Sequence, residues 1–498
     1  MAHIIASLFS GLGEMLSFPA FLYQLIGIIF GFILGVIPGI GGIFGMALIL
    51  PLTFSMKPDF ALSLLLGVYA VSTTGGSVTS ILFGVPGTAV NVATVFDGYP
   101  MAQRGEGARA IGISMTASGL GGLFGAVVLA LLIPVLQPLV LAFAPPEFFM
   151  LAVLGIVFIA YLGSGAVLKS LVTGGLGLML SFVGQDLTTG TLRYTFGQLY
   201  LWDGVPLVPA VIGLFAIGEM IDLAVRGGSI AQAGLEVKGN PFEGMKDVFR
   251  HWGLFLRSSA MGTIIGIIPG LGGVVANFLA YGHAVQTSKD PSRFGKGAPE
   301  GVIGPESSNN AKEGGSLVPT LAFGIPGSEA MAILLGAFYI LGLQPGPKML
   351  TENLDLVFMM VWILVASNII GAVIGFALAR HMAFITKIRG EFIVPVVFVI
   401  SVFGAYATNN DLGDFFVAIG FGIGGYYLKK HDYSRATLII GLVLGRIVEK
   451  NLLLSISLYG WSMFFRPLTL LFLLSIIVTL IYPILRGSRR KAQSPPTG

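Results

Sequence analysis

The chain carries two pairs of glycine–proline motifs, and each motif occurs once in each half of the sequence. Residues 35–42 read GVIPGIGG and residues 266–273 read GIIPGLGG, while residues 83–88 read FGVPGT and residues 323–328 read FGIPGS. All four lie in apolar sequence, where proline and glycine interrupt helices and irregular backbone is tolerated only if protein or a water-filled cavity surrounds it. Paired interruptions at corresponding places in two halves are typical of a transporter's substrate site.

The composition requires that most of the surface face lipid. Only 10% of the 498 residues are charged and 55% are hydrophobic, whereas soluble proteins carry about 25% charged residues. The apolar runs are continuous, as in helices, and do not alternate as in a barrel. We therefore predict an all-α polytopic membrane protein with roughly 11–13 membrane segments, given that each crossing needs about 20 residues. The chain has no cysteine, which excludes disulfides and thiolate metal sites.

The repeat and the loop charges predict the organisation of the chain. We divide it into a first repeat (1–226), a cytoplasmic linker (227–257), a second repeat (258–460), an extra C-terminal helix (461–485) and a basic tail (486–498). With the linker in the cytoplasm, the Lys/Arg-rich loops and the C-terminus all lie inside. The loop after residues 83–88 is then inside and the loop after 323–328 outside, so the repeats are inverted. A parallel duplication is the alternative.

The four motifs predict broken-helix or re-entrant hairpins whose free amides meet an anion and whose carbonyls meet a cation. The predicted substrate-binding residues are Pro38, Gly39, Gly41, Gly87, Thr88, Asn91, Gly270, Gly272, Ser307, Ser308, Asn309, Asn310, Gly327 and Ser328. The predicted cation-binding residues are Thr74, Gly84, Pro86, Asn309, Gly324 and Pro326. Other readings stay open: close helix packing through glycine, helix capping by Thr88 and Ser328, and a solvated loop for the polar residues 305–316.

The motif GIIPGLGG and the string PESSNNAKEGGSLVPTLAFGIPGS, together with GVIPGIGG and FGVPGT, closely resemble the large membrane subunit (TctA-like) of the tripartite tricarboxylate transporter family. The resemblance covers almost the whole chain. One departure is Ser307 and Ser308, where family members often carry alanine.

The resemblance implies a secondary active transporter subunit of the bacterial inner membrane, with a cytoplasmic C-terminus and no cofactor. It implies a small four-helix membrane subunit (TctB-like) and a periplasmic solute-binding protein (TctC-like) as partners. An organic carboxylate such as citrate is then the substrate and Na⁺ or H⁺ the coupling ion, and no nucleic acid is involved. By analogy with other inverted-repeat carriers, we expect alternating access by an elevator-like stroke. An anion channel and an intramembrane enzyme are the alternatives. No catalytic constellation is present in the sequence.

Overall fold

The computed structural model describes residues 2–37, 41–162, 167–186, 190–226, 237–269, 272–379 and 390–492. The helices of the first part are α1 (Ala2–Leu16), α2 (Phe18–Val36), α3 (Gly41–Ile49), α4 (Pro58–Phe83), α5 (Val92–Gln103), α6 (Gly107–Leu141), α7 (Pro145–Leu162), α8 (Val167–Ser181), α9 (Leu207–Val211) and α10 (Gly218–Arg226). Those of the second are α11 (Pro241–Arg250), α12 (Trp252–Ile267), α13 (Gly272–Thr287), α14 (Pro299–Phe323), α15 (Glu329–Ile340), α16 (Pro347–Thr351), α17 (Leu354–Leu378), α18 (Gly390–Tyr406), α19 (Leu412–Lys430), α20 (Arg435–Tyr459) and α21 (Pro467–Ala492).

Short irregular elements connect some of these helices. Strands β1 (Gly184–Gln185) and β2 (Leu192–Arg193) pair antiparallel. A π-helical segment, Ile212–Ile217, joins α9 to α10, and a 3₁₀ turn, Ala89–Asn91, precedes α5. The prediction of an all-α polytopic membrane protein is confirmed.

Five described helical spans are long and apolar enough to cross a bilayer, or six if the bent pair Arg435–Phe465 and Pro467–Thr479 counts as one. The five are Phe18–Val36, Pro58–Phe83, Gly107–Leu141, Leu207–Val225 and Leu354–Leu378. Further apolar helices are shorter, and among them Gly41–Thr53 and Glu329–Ile340 each border a helix break. The total of 11–13 membrane segments and their orientation therefore stay predictions.

The chain forms two compact units. The large unit comprises Met1–Val140 and Val208–Tyr427, and it holds all four motifs. The small unit comprises Leu141–Leu207 and Leu428–Gly498. Within the small unit, Glu147 at the start of α7 accepts hydrogen bonds from Arg466 Nε (2.7 Å) and Thr469 Oγ1 (2.8 Å), which ties α7 to α21.

Two boundaries from the sequence differ from the structure. The helix α12 begins at Trp252, inside the stretch that we read as linker. Asn240 caps the start of the short helix α11, and His251 lies between the end of α11 and the start of α12. The helix α21 begins at Pro467 and continues to Ala492, past residue 485 where we ended it. Residues 227–236 of the predicted linker and residues 493–498 of the tail lie outside the described residues.

Candidate functional site

The four motifs interrupt helices at matched positions in the large unit. Residues 35–42 separate α2 from α3, and residues 266–273 separate α12 from α13. Residues 83–88 separate α4 from the turn before α5, and residues 323–328 separate α14 from α15. Gly84 and Gly324 end α4 and α14 with the same left-handed φ of 67°, a conformation that favours glycine at a helix C-terminus. Ile37 and Ile268 also agree closely, at φ −86°, ψ 113° and φ −83°, ψ 113°. The two repeats therefore break their helices with the same backbone geometry.

Glycines hold each broken helix against its neighbour at equivalent positions. A Cβ on Gly31 or Gly35 would overlap the carbonyl oxygens of Val68 and Ser72, so α2 touches α4 backbone to backbone. In the second repeat, a Cβ on Gly262 or Gly266 would overlap the carbonyl oxygens of Ser308 and Lys312. Small residues permit this approach in membrane helices. Close packing and helix breaking therefore occur together in both repeats. The interpretation as close packing and the interpretation as a functional break do not exclude each other.

The central helices of the two repeats, α4 and α14, run antiparallel where they meet. Ser77 contacts Glu306, Thr73 contacts Asn310, and Tyr69 lies beside Lys312, so numbers rise on one helix as they fall on the other. Two equivalent helices that cross antiparallel are related by an axis perpendicular to them. This arrangement supports the predicted inversion of the repeats.

Breaks of one repeat also lie against breaks of the other. Asn277 Nδ2 on α13 donates to the carbonyl of Val90 (2.9 Å), in the turn that follows the FGVPG break. The helix α3, which follows the first break, packs against α15, which follows the last. All four interruptions therefore surround one region of the large unit.

The polar segment 305–316 is neither a solvated loop nor a break. It lies inside the continuous helix α14, and its polar side chains are at most 4% exposed. They are Glu306, Ser307, Ser308, Asn309, Asn310, Lys312, Glu313 and Ser316. The solvated-loop alternative is wrong because these groups are surrounded by the helices of both repeats.

Several predicted ligand residues use their polar atoms to hold the fold. Asn310 Nδ2 donates to Thr74 Oγ1 (2.8 Å) and Asn368 Oδ1 (2.6 Å), which links α14 to α4 and α17. Asn91 Nδ2 donates to the carbonyl of Thr73 (2.9 Å) and to Ser77 Oγ (2.8 Å). Ser307 Oγ donates to the carbonyl of Ile303 in its own helix. In this conformation, these side chains use their hydrogen bonds to hold the helices of the fold together or to stabilise their own helix.

The second breaks do not present the free amides that we expected at two of their glycines. The Gly87 amide donates to the carbonyl of Gly76 (3.3 Å) and the Gly327 amide to Thr320 Oγ1 (3.3 Å). Gly324 likewise donates to the carbonyl of Thr320, and Pro86 and Pro326 have no N–H. A substrate would have to displace these internal bonds to use those amides.

The capping alternative for Thr88 and Ser328 is wrong. Both are N-cap residues in extended conformation, but neither side chain caps its helix. Thr88 Oγ1 instead donates to Asn91 Oδ1 (2.7 Å).

Three predicted ligands have side-chain atoms without a hydrogen-bond partner among the described residues. These buried atoms are both amide atoms of Asn309 and the hydroxyls of Ser308 and Ser328. Buried polar groups are nearly always satisfied, so an unpaired one is a place where water, an ion or a ligand can bind. The binding role of these residues stays a prediction. Pro38, Gly39 and Gly270 lie outside the described residues.

The first breaks differ in how much room they leave. A Cβ on Gly41 would overlap Thr88 Cγ2, whereas one on Gly272 would meet nothing within 4 Å. The stem of Lys312 lies next to Gly273, the following residue. The break with space around it, at Gly272, is therefore the one that lies beside the buried side chain of Lys312.

Sequence reasoning missed the charged residues of α14. Lys312, Glu306 and Glu313 lie in the polar stretch 305–316, of which we chose only serines and asparagines as ligands. Their signal was present, because ionisable residues beside apolar membrane sequence are functional candidates by default. The Lys312 ammonium lies over the Tyr69 ring, 5.3 Å from its centroid.

Long apolar helices, an internal repeat and matched helix breaks around a buried polar interior define a polytopic membrane protein of the repeat-built transporter type. The sequence matches the model of the tripartite tricarboxylate transporter TctA family over residues 21–440, and the chain belongs to this family. The resemblance seen in the motifs is thereby confirmed.

Two relatives come from Agrobacterium vitis. One, described as an uncharacterized 52.8 kDa protein in the TAR-I ttuC' 3' region, is 34% identical over 91% of this chain and 90% of its own length. The other, an uncharacterized protein in the TAR-II ttuC' 3' region, is 35% identical over 38% of this chain and 79% of its own. No solved structure matches the chain.

Proposed function

We propose that this chain is the membrane subunit that carries an organic carboxylate of the tricarboxylate or dicarboxylate class across the bacterial inner membrane. A periplasmic binding protein delivers the substrate, a small four-helix subunit completes the membrane complex, and Na⁺ or H⁺ drives uptake. Membership of the TctA family supports the transport class and the partners. The observation that carries the substrate class is the position of Lys312.

Lys312 offers an anion a buried positive charge. The residue is 4% exposed. Among the described residues, no carboxylate lies within 4 Å of its ammonium, and Glu313 and Glu329 attract it only from a longer distance. A buried charge is costly unless a partner compensates it. An organic carboxylate that enters the site would provide that partner.

The start of α13 adds hydrogen-bond donors beside the same charge. The first amides of a helix have no intrahelical acceptor, and the helix dipole favours an anion there. Gly272 begins α13 with open space around its Cα, and Gly273 touches the Lys312 stem. A carboxylate could therefore accept from the α13 amides and from the Lys312 ammonium together. Asn309, whose amide is unpaired and lies one turn earlier on α14, is a further donor.

Alternating access is the proposed transport step. The large unit holds all four breaks, and the break-bearing helices are joined by close glycine contacts. Such helices move more readily as one block than separately. We therefore assign the elevator-like stroke to these segments.

Uptake of labelled citrate tests this site, in membrane vesicles that contain all three subunits and the periplasmic protein. Lys312→Met keeps the length of the stem and removes the charge. We expect the apparent affinity to fall about tenfold to a hundredfold, as for loss of a charge-assisted hydrogen bond in a buried site. Lys348→Met is the control, because Lys348 is exposed on α16. Unchanged uptake by Lys312→Met would place the anion elsewhere.

A further inference from the structure

One carboxylate of α14 is enclosed by hydroxyl groups. Glu306 is fully buried. Its Oε1 accepts from Ser77 Oγ (2.7 Å) and Thr94 Oγ1, and its Oε2 accepts from Ser118 Oγ (2.7 Å) and Ser114 Oγ (3.0 Å). We call these four hydroxyls, from α4, α5 and α6, the hydroxyl cage.

No positive group neutralises Glu306. Within the described residues, no Lys, Arg or His lies within 4 Å of its carboxylate. The ionisable residues on its own helix and on the helices packed around it are engaged elsewhere. On α5, Asp97 accepts from Tyr281 of α13 and from the Gly297 and Ala298 amides, and on α6 Arg109 pairs with Asp247 of α11. On α14 itself Lys312 lies over Tyr69 of α4, and Glu313 accepts from Thr73.

A hydroxyl cage suits a group that changes its protonation state. A hydroxyl can donate to a carboxylate and can equally accept from a carboxylic acid, whereas a lysine or arginine can only donate. Ser77 already has a second acceptor, because its Oγ lies 3.2 Å from the carbonyl of Thr73. When Glu306 takes up a proton, the Ser77 hydrogen can turn to Thr73 and Ser77 Oγ can accept from the new acid. No heavy atom has to move far.

The cage connects directly to the FGVPG break. Thr88 Oγ1, at the break, donates to Asn91 Oδ1 (2.7 Å), and Asn91 Nδ2 donates to Ser77 Oγ (2.8 Å). Ser77 in turn donates to Glu306. The Thr73 carbonyl also accepts from Asn91 Nδ2 (2.9 Å). A turn of the Ser77 hydroxyl toward Thr73 therefore makes Ser77 and Asn91 share that acceptor, and Asn91 in turn is bound to Thr88. Both Asn91 and Thr88 belong to the predicted substrate site.

We propose that Glu306 and its hydroxyl cage form the site of the coupling proton, and that the Thr88–Asn91–Ser77 chain links its protonation to the substrate site. This inference rests on the proposed transport function. In each cycle, the carboxylate takes one proton from the water on one side to become a carboxylic acid. The same proton leaves to the water on the other side, and no other bond forms or breaks.

The distances favour a proton over a sodium ion as the occupant. The hydroxyl oxygens of Ser77, Ser114 and Ser118 lie 2.7 to 3.0 Å from the carboxylate oxygens, and that of Thr94 lies closer still. These are hydrogen-bond distances, with a hydrogen between the two oxygens. An ion that took both oxygens as ligands would occupy the space of those hydrogens and would push the oxygens apart. Sodium coupling is therefore the competing outcome of the test.

The test compares net uptake with exchange in vesicles of the complete transporter. Glu306→Gln keeps the shape of the side chain but cannot be ionised. We expect proton-driven net uptake of labelled citrate to fall at least about tenfold. Exchange of labelled for unlabelled citrate at equal pH on both sides should stay within about twofold, since it requires no net proton movement. Glu243→Gln, an exposed site on α11, is the control.

Infrared difference spectra across a pH titration give a readout that does not depend on transport. Other Asp and Glu side chains also titrate, so the spectrum of each variant is compared with that of the wild type. One titrating carboxylic-acid carbonyl component of the wild-type spectrum should persist in Glu313→Gln and should be missing in Glu306→Gln. A Glu306→Gln spectrum identical to that of the wild type, or retention of proton-driven uptake by Glu306→Gln, would overturn the proposal. So would carboxylate uptake that follows a sodium gradient without proton movement, although the transport function would then stand. Failure of the wild type to transport any carboxylate would contradict the function itself.

Discussion

The two repeats of the large unit share a backbone but differ in chemistry. Both break their helices at the same positions, with Gly84 and Gly324 at the same φ of 67°. The helix α4 of the first repeat supplies neutral hydroxyls, whereas α14 of the second supplies two buried carboxylates and a buried ammonium. The duplication therefore gives both repeats the same backbone. The second repeat carries the charged side chains, and the first repeat supplies hydroxyls that hydrogen-bond to its carboxylates.

One pair of equivalent positions shows the division most clearly. A Cβ on Gly42 would overlap the Ser72 hydroxyl, and a Cβ on Gly273 would overlap the Lys312 stem. Ser72 and Lys312 therefore stand in the same place beside the same break of their repeats. Ser72 Oγ donates only to the carbonyl of Tyr69 in its own helix (3.2 Å), whereas Lys312 brings a full charge.

The largest expected effect tests the symmetric part of the comparison. Gly35→Ala and Gly266→Ala both place a methyl group on a backbone carbonyl of the neighbouring helix. Overpacking of this kind costs about 1–3 kcal/mol or more. We expect both variants to lose folded protein to a similar degree, measured as monodisperse yield in detergent and as the midpoint of thermal unfolding.

The control for that pair is Gly282→Ala on α13. A Cβ there meets nothing within 4 Å, and alanine favours the helix, so stability should be unchanged or slightly higher. If only one of the two glycine variants were damaged, the packing of the repeats would not be equivalent.

The second prediction separates structure from binding within α14. Asn310→Ala removes the bonds to Thr74 and Asn368 and leaves their polar groups unpaired, at a cost of about 1–3 kcal/mol. Asn309→Ala removes no hydrogen bond among the described residues, so it should unfold at the same temperature as the wild type. Citrate uptake should nevertheless fall in Asn309→Ala. Wild-type uptake at unchanged stability would exclude Asn309 from the site.

The sequence predicted the breaks because their cause is local. In all four motifs a proline followed directly by glycine interrupts the helix, and the duplication located all four interruptions. The same local reasoning could not place residues 305–316. Their polarity is that of a surface loop, and only the packing of α4, α5, α6 and α17 around α14 makes them an interior.

The sequence also could not predict which side chains form hydrogen bonds with each other. Thr88 and Asn91 lie next to a break in the sequence, and their role in binding stays a prediction. No spacing rule predicts that Asn91 joins Thr88 to Ser77, because the bond to Ser77 spans two helices. The hydroxyl cage of Glu306 consists of side chains from three helices, and the sequence could not predict it for the same reason. Long-range side-chain pairing depends on how helices cross, which a single sequence does not specify.

The smallest expected effect tests the asymmetric part of the comparison. Ser72→Ala removes one hydroxyl, which among the described residues donates to the Tyr69 carbonyl of its own helix, and bonds of this kind stabilise little. We expect citrate affinity to change by less than about twofold, against the much larger loss for Lys312→Met at the equivalent position. Measuring both variants in the same kind of vesicle decides whether the anion is recognised by the charge of Lys312 or by any side chain at that position beside a break. Equal losses would mean that both first breaks contact the substrate and that the two halves share its recognition.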